Sequence, residues 1–225
     1  MKLVLLSGLL SNKRVFQQQV EQLKNSIDVL VIELADVDTP AKMTNKILDL
    51  APDRFMLAGH SIGGWVALRF MKVAPERVQK LFILSTGARG IDPEELTLRQ
   101  SVLTRVENGE FQQIAAEIAN KFTFNESAKK TVLDMFLQVG EQGLINQTRA
   151  MMIREDLRDI LPKINCPTWV MHADQDKRFS LEEITEISNL IPHAKFKIVH
   201  NSGHMSPMEV PEQITNLLRS WVSDC

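Results

Sequence analysis

Short apolar runs alternate with longer amphipathic stretches over the first 86 residues of the chain. The runs have the length and continuity of strands buried on both faces, and the stretches carry apolar residues at helical spacing, as Phe16, Val20 and Leu23 do. Regular alternation of strands and helices predicts a parallel sheet covered by helices on both faces. The predicted strands are residues 2–6, 27–34, 55–58 and 81–85, and the second and third helices are residues 41–50 and 62–74.

The alternation stops between about Gly90 and Asp159. Four helical stretches follow one another there, at residues 93–107, 110–122, 127–139 and 144–160, with no strand pattern among them. Strand patterns return at residues 168–172 and 195–199, and helical patterns at residues 182–190 and 211–222. The whole pattern predicts an α/β fold with a reduced, mostly parallel sheet of about six strands and an all-helical insertion.

A serine stands in the sharpest predicted turn of the chain. The third strand runs into Gly59-His60-Ser61-Ile62-Gly63, and a helix starts at once. Such a turn holds a serine hydroxyl exposed at the end of the sheet, where a base can activate it as a nucleophile. Strand and helix nearly touch on either side of that serine, which explains the two glycines. The pattern predicts Ser61 as the nucleophile of a covalent catalyst.

This strand, turn and helix resemble the nucleophile elbow of the α/β-hydrolase family. The resemblance covers nearly the whole chain and implies a hydrolase core built from residues 1–89 and 161–225, with residues 90–160 inserted as a helical cap over the active site. Many members of the family place one or two antiparallel strands before the first strand seen here. A chain without them is expected to have a sheet reduced to about six strands.

The resemblance also implies a histidine base on the loop after the last strand, preceded along the chain by an acid on the loop after an earlier strand. His204 matches the family's histidine loop, because it stands in Ser202-Gly203-His204 with Glu209 and Pro211 following. His204 is therefore the expected base.

Two aspartates compete for the role of the acid. The family pattern has a small residue, two variable positions and then aspartate, which places Ala173 at the small position and makes Asp176 the expected acid. Asp174 is the alternative and is otherwise a turn residue. His200 is the competing base, although it is expected to pack or bond locally. Of the remaining histidines, His60 and His172 are predicted to be structural and His193 to be solvated.

Two backbone amides are expected to stabilise the negative charge that develops on the substrate oxygen. The Ile62 amide lies at a helix N-terminus, where unpaired N–H groups and the helix dipole favour an anion. The family's second donor follows a His-Gly pair after the first strand, and the equivalent amide here belongs to Leu9. Ser7 replaces the family's histidine, so the hydrogen bonding of this loop is expected to differ.

The composition narrows the expected partner to a small molecule. The 225 residues carry a net charge of −2 with both signs spread along the chain, which gives no reason to expect nucleic acid or an anionic membrane as a partner. No apolar run approaches the ~18 residues of a membrane span. Cys166 and Cys225 show no metal or redox spacing and suit a reducing compartment. We expect a cytoplasmic monomer or weak homodimer without metal or organic cofactor.

The helical insertion offers residues for a substrate pocket without identifying the substrate. Arg149, Arg154 and Arg158 are candidates for binding a substrate carboxylate, but the favoured prediction is that Arg154, together with Glu155 and Asp156, anchors the insertion by surface ion pairs. Six apolar side chains are candidates for an acyl pocket, and most are expected to form the insertion's own core: Phe111, Phe122, Phe124, Phe136, Met151 and Met152.

These residues together predict a serine hydrolase that cleaves a small or medium carboxylic ester. A serine nucleophile argues against the branches of the resembled family that use aspartate at that position, the dehalogenases and epoxide hydrolases. A thioesterase or a carbon–carbon bond hydrolase or lyase is the first alternative, because fold and catalytic residues do not fix the reaction. A receptor that binds a small ligand with slow or absent turnover is the alternative from a different class.

Overall fold

The apolar runs form one sheet of six parallel strands. The computed structural model describes residues 1–224, so Cys225 lies outside the described residues. The spatial order of the strands is β2-β1-β3-β4-β5-β6, and every neighbouring pair is parallel. The predicted α/β fold with a reduced parallel sheet is confirmed. The strands are β1 (Lys2–Leu6), β2 (Val29–Ile32), β3 (Phe55–His60), β4 (Val78–Leu84), β5 (Thr168–Ala173) and β6 (Lys195–Val199).

Some of the helices begin at capping residues that the sequence supplies. The Thr39 hydroxyl accepts the amide N–H of Lys42, and the Asp92 carboxylate accepts that of Glu95, so each satisfies a donor that the first turn of a helix leaves unpaired. A proline follows each of these caps at a position where its missing N–H costs nothing. The helices of the core are α1 (Gln17–Leu23), α2 (Pro40–Leu50), α3 (Ile62–Val73), α7 (Leu181–Leu190), α8 (Ser206–Glu209) and α9 (Pro211–Ser223), and those of the insertion are α4 (Pro93–Glu107), α5 (Phe111–Phe122) and α6 (Glu126–Met152).

Strand β3 lies at the centre of the molecule, and all six of its residues are buried. Alternate side chains point to opposite faces of a strand. Phe55 and Leu57 accordingly join the apolar cluster that contains α2, α3 and α7, while Met56 and Ala58 join the cluster that contains α1 and α9. The sheet is thus covered on both faces, which is why its central strands carry uninterrupted apolar runs.

The helical insertion differs from the predicted pattern at its end. The predicted third and fourth helices form one element, α6, with a break at Gly140, where φ is +81°. The helix ends at Met152 rather than at residue 160. The chain beyond it leaves the helix because its backbone groups pair with an earlier segment: Leu157 donates to the Ala88 carbonyl, and Ile91 donates to that of Arg154.

Smaller differences occur near the chain's first and last helices. A 3-10 turn at Lys13–Phe16 precedes α1, and the short helix α8 was not predicted. Strand β2 is shorter than the predicted residues 27–34, because the Ile27 amide still donates to Leu23 of α1 and the Leu34 amide donates to the Ser7 hydroxyl. None of these differences moves a predicted site residue.

Candidate active site

Ser61 lies on a strained turn between β3 and α3. Its backbone has φ 55° and ψ −121°, a conformation that residues other than glycine rarely adopt. The flanking glycines permit the turn: a Cβ on Gly59 would lie 2.2 Å from the carbonyl oxygen of Gly63, and a Cβ on Gly63 would lie 2.4 Å from that of Leu6. The hydroxyl is therefore held at the carboxyl end of the sheet by close backbone contacts.

The structure brings Ser61, His204 and Asp176 into one hydrogen-bonded chain. Ser61 Oγ lies 2.8 Å from His204 Nε2, and His204 Nδ1 lies 2.8 Å from Asp176 Oδ2. The histidine ring and the carboxylate are both buried, with 1% and 0% of their side-chain surface exposed. The aromatic rings of Phe122 and Phe179 contact the imidazole, with centroids 4.6 and 5.8 Å away. The imidazole is thus packed on both sides as well as hydrogen-bonded.

Asp176 is stabilised as a carboxylate by its own loop. Burial acts to raise the pKa of this carboxyl, but the His204 imidazole and the amides of Arg178 and Phe179 outweigh burial and lower the pKa below its ordinary value. Those two amides donate to Asp176 Oδ1 at 2.7 and 3.2 Å, which leaves Oδ2 for His204. The loop after β5 therefore presents a fixed anion to the histidine.

Asp174 faces a different histidine. Its Oδ2 lies 3.0 Å from Nδ1 of His200, whose side chain is 71% exposed. Its other oxygen accepts the Ser202 amide at 3.4 Å. This second aspartate–histidine pair lies at the surface, and neither member contacts Ser61.

His60 is buried and held neutral. Burial lowers its pKa to about 3, so its Nε2–H donates to the His204 carbonyl oxygen at 2.7 Å. Its Nδ1 has no hydrogen-bond partner in the part of the chain that the structure describes, so the ring is only half satisfied. Nδ1 of His172 is also without a partner among residues 1–224, whereas His193 lies exposed in a turn with φ +61°.

The loop that carries His204 is tied to the end of α5. The Glu209 carboxylate accepts the amides of Phe124, Asn125 and Gly203 through one oxygen, at 2.8, 2.8 and 3.2 Å. A Cβ on Gly203 would lie 2.8 Å from the Phe124 nitrogen, so only glycine fits between the loop and the helix end. The Ser-Gly-His sequence and the glutamate after it thus have a physical role in positioning the histidine.

The loop after β1 contacts Ser61 and is held from the opposite side by α6. A Cβ on Gly8 would lie 3.0 Å from Cβ of Ser61. The Gln147 side chain accepts the Leu10 amide at 2.8 Å and donates to the Gly8 carbonyl at 2.9 Å. The first bond fixes the Leu9–Leu10 peptide group, and the second fixes the Gly8–Leu9 peptide group, which contains the Leu9 amide. Gln147 is completely buried, and it shares a face of α6 with Leu144 and Met151.

Ser7 lies behind this loop. It is completely buried, and its hydroxyl accepts the Leu34 amide at 3.4 Å. The hydrogen bonding of the loop thus includes contacts from Gln147 and from Ser7, which stands at the position of the family's histidine. The Gln147 contacts were not predicted, although a glutamine within the apolar face of a helix was a readable signal.

A small, partly enclosed cavity of about 30 Å³ lies beside Ser61. Leu9 and Ile62 both line it, and Ile62 is the first residue of α3, where an amide has no carbonyl one turn back to accept it. A larger surface groove of about 830 Å³ lies beside β2 and contains none of the predicted site residues. The remaining residues that line the cavity are Trp65, Thr86, Gly87, Arg99, Phe122, Met151, Arg154, Arg178 and Phe179.

The structure corrects one prediction about the helical insertion. Arg154 does not form a surface ion pair: it is 11% exposed, lines the cavity and binds Glu95, because the chain turns back after α6 and carries the guanidinium inward. Glu155 instead pairs with Arg69 and Lys72 on α3. Of the six candidate apolar residues, Phe122 and Met151 line the cavity, Phe136 is buried in the core, and Phe124 is 45% exposed.

The fold and the site together define a class of protein. A strained serine on a strand–helix turn, hydrogen-bonded to a histidine and an aspartate at the end of a parallel sheet, is the arrangement of the α/β hydrolases. The sequence model of the alpha/beta hydrolase fold family matches residues 3–211. The chain therefore belongs to the alpha/beta hydrolase fold family.

Several characterised relatives are similar over nearly their full length. The pimeloyl-[acyl-carrier protein] methyl ester esterase of Vibrio parahaemolyticus is 26% identical over 99% of this chain and 94% of that protein. A thermophilic esterase from Thermogutta terrifontis, solved with malate bound, superposes with a TM-score of 0.89 at 27% identity, covering 99% of this chain and 89% of the other. The enol-lactonase from Burkholderia xenovorans, at 20% identity and a TM-score of 0.87 over 99% of this chain and 91% of the other, shares the fold.

Neither a membrane-spanning helix nor a metal-ligand cluster occurs among the described residues. Within residues 1–224, no helix has the length and apolar character needed to cross a membrane. No group of three or more histidine, cysteine, aspartate or glutamate side chains in the same range is arranged to hold a metal ion.

Proposed function

We propose that this protein is a serine hydrolase that cleaves a small or medium carboxylic ester through an acyl-enzyme on Ser61. The observation that carries the proposal is the chain of two 2.8 Å hydrogen bonds from Ser61 through His204 to Asp176. A serine hydroxyl needs an adjacent base to become a nucleophile, and the base needs an acid that fixes its tautomer. Each requirement is met by a buried and packed side chain.

The reaction follows from the proton positions. Ser61 Oγ attacks the ester carbonyl carbon while its proton passes to His204 Nε2, and Asp176 stabilises the resulting imidazolium. Collapse of the tetrahedral intermediate expels the alkoxide, which takes that proton and leaves as the alcohol. A water molecule then attacks the acyl-enzyme, gives its proton to the same nitrogen and releases the acid, and the proton returns to Ser61.

The negative charge on the carbonyl oxygen is assigned to the amides of Leu9 and Ile62. Both residues line the cavity beside Ser61, and the hydrogen bonds of Gln147 on either side of Leu9 support a fixed direction for its amide. Preorganised donors of this kind contribute about 3 kcal/mol each to transition-state stabilisation. Gln147 is thus a positioning residue that acts through the backbone.

The ester bond is the best supported target because relatives that match this chain over most of their length carry esterase names. Residues 90–160 are proposed to act as a cap, since Phe122 and Met151 from this segment close the cavity that contains Ser61. The substrate is proposed to be a small molecule, because Ser61 is only 6% exposed and the cavity beside it is small.

A fluorophosphonate tests the nucleophile before any substrate is known. We expect intact-mass measurement to show one adduct on the wild type and none on Ser61→Ala or His204→Ala. Ser61→Ala should also reduce ester turnover by at least about a thousandfold with the fold intact. A well-folded wild type that takes no adduct would contradict the proposal and favour the ligand receptor.

A panel of substrates then distinguishes the reactions that the same fold and catalytic residues could perform. Matched oxygen esters, thioesters and vinylogous diketones should give the highest kcat/KM for oxygen esters. Faster cleavage of the thioester or of the carbon–carbon bond would replace the esterase with the corresponding alternative.

A further inference from the structure

Three arginines converge on one carboxylate at the cavity beside Ser61. Arg99 of α4, Arg154 beyond α6 and Arg178 beyond β5 all line the cavity. Each binds Glu95 of α4, and the contact distances from Nη2 to a carboxylate oxygen are 2.7, 2.5 and 2.7 Å respectively. We call these four side chains the arginine cluster. Three positive charges and one negative charge leave it with a net charge of +2.

The charges of this cluster are largely removed from water. The side chains of Arg99, Arg154 and Arg178 are 15%, 11% and 26% exposed, and that of Glu95 is 16% exposed. Burial lowers the pKa of Arg99 to about 10 despite the attraction of Glu95, which still leaves the guanidinium charged at neutral pH. Buried charges without an opposite charge are costly, so a second anion in the cavity would be favoured.

Within residues 1–224, Glu95 is the only carboxylate that pairs with these arginines. Asp176 precedes Arg178 by two residues, but its oxygens are occupied by His204 and by backbone amides. Arg99 contacts Glu95 through Nε and Nη2, and in the same range its Nη1 has no carboxylate partner. Arg99, which lines the cavity, therefore keeps a hydrogen-bond donor for a further acceptor.

A further donor at the same cavity lacks an acceptor. Trp65 lines the cavity and is only 2% exposed, and its indole N–H has no hydrogen-bond partner among the described residues. Unpaired buried donors are rare in folded proteins and call for an explanation. A ligand that brings acceptor oxygens into this cavity would provide one.

We propose that the arginine cluster binds a carboxylate of the substrate, so that the preferred substrate is a monoester of a short dicarboxylic acid. The inference rests on the proposed ester hydrolysis at Ser61 and adds the substrate class. Glu95 shows that a planar carboxylate can bind all three guanidinium groups in this place. The shared cavity is small, which favours a short chain between the cluster and the scissile ester.

The arginine cluster would let the enzyme discriminate between substrates with and without a terminal carboxylate. A carboxylate at the far end of the acyl chain would lower the net charge of the cluster and accept its free N–H groups, whereas a methyl group of the same size would leave them unpaired. Sites built around buried polar groups reject analogues that lack the matching group far more strongly than apolar pockets do. We therefore expect a preference of at least about tenfold in kcat/KM for the carboxylate-bearing ester.

The test compares monomethyl succinate, glutarate and adipate with methyl butanoate, pentanoate and hexanoate, which match them in chain length. The wild type should favour the carboxylate-bearing member of at least one pair by about tenfold or more. Arg99→Gln should reduce that ratio to near one, and Arg99→Lys should restore part of it. Arg158→Gln is the matched control, because Arg158 is an exposed cation paired with Asp156 and Glu186 outside the cavity.

The outcomes distinguish this inference from the reaction itself. Equal cleavage of both members of every pair, with a ratio that Arg99→Gln does not change, would overturn the carboxylate site while leaving the esterase standing. If neither ester of any pair is cleaved and no fluorophosphonate adduct forms, the proposed esterase activity itself would be contradicted. Competitive inhibition by inorganic phosphate without inhibition by glutarate would also overturn the carboxylate assignment. Thermal unfolding of each variant shows whether a lost ratio reflects a lost fold.

Discussion

At the scale of single residues, two aspartates that are two positions apart have different environments. Asp176 is buried and faces His204, while Asp174 binds the exposed His200. Both pairs have similar distances, 2.8 and 3.0 Å, so the contact alone does not distinguish them. The two pairs differ in the next hydrogen bond of each histidine, because only His204 contacts Ser61.

Asp176→Asn should reduce kcat by about a thousandfold or more, since an amide cannot hold the tautomer or stabilise the imidazolium. Asp174→Asn is the matched control and should change kcat less than about threefold, because its pair is solvated. Steady-state kinetics on one activated ester would show both effects. The reverse ranking would assign the acid to Asp174.

The sequence could predict this chain of residues because its members follow strand ends in a fixed order. Ser61, Asp176 and His204 each lie just after an apolar run, and parallel strands bring such positions together. Gln147 and the arginine cluster could not be predicted in the same way. The partners of Gln147 lie 137 and 139 positions away along the chain, and only folding of the insertion brings them into contact with it.

At the scale of elements, the site depends on contacts between α6 and the loop after β1. Gln147 supplies both hydrogen bonds of this contact from a fully buried position. The insertion is therefore connected to the reaction through the backbone of the loop as well as through the walls of the cavity. A helix placed outside the sheet helps to fix an amide inside the site.

Gln147→Leu should reduce kcat by about ten- to a hundredfold with a smaller change in KM, because losing the support of one oxyanion donor weakens transition-state binding more than substrate binding. Gln142→Leu on the same helix is the control, since Gln142 is exposed and its side chain binds only Asn146 among the described residues. A change in KM alone would show that Gln147 shapes the cavity and does not position the amide.

The turn between β3 and α3 depends on a close approach as well as on backbone conformation. Gly63→Ala should cost about 3 kcal/mol or more of unfolding free energy, because its Cβ would lie 2.4 Å from the Leu6 carbonyl oxygen. The new Cβ of Gly109→Ala would have no atom within 4 Å, and the only strain would come from a φ of +80°. This substitution should therefore cost about 1 kcal/mol of unfolding free energy. Urea unfolding of the two variants separates the contributions, and equal costs would contradict the close-contact explanation.

Strands and helices of the core followed from local patterns, whereas the end of the insertion did not. Residues 153–160 have apolar and charged residues at near-helical spacing, yet they pair with the segment that leaves β4 some 65 positions earlier. Local periodicity contains no information about such a distant backbone partner. The same absence explains why Arg154 was predicted to lie at the surface.

At the scale of the whole molecule, stability should depend on pH through His60. Its pKa is about 3 in the folded protein against an ordinary 6.5, so between these values the unfolded chain binds a proton that the folded one does not. The contribution of His60 to the free energy of unfolding is fully present above pH 6.5 and is lost as pH falls toward 3. The free energy of unfolding changes by up to about 1.4 kcal/mol per pH unit in this range.

The measurement is the free energy of unfolding in urea at several pH values between 7 and 4. His60→Gln keeps a donor for the His204 carbonyl and cannot be protonated, so its stability should fall less steeply over this range than that of the wild type. Parallel curves for the two proteins would show that another group controls the acid response.

The small cavity beside Ser61 also affects how binding constants of this protein are interpreted. About 30 Å³ is the volume of a water molecule or two, so an ester fits within the cavity only if the surrounding side chains move. If a fraction of the molecules has made this movement before binding, an apparent dissociation constant equals the intrinsic one divided by that fraction. A substitution that raises the fraction would then raise apparent affinity for every ligand by the same factor, without a single new contact to any of them.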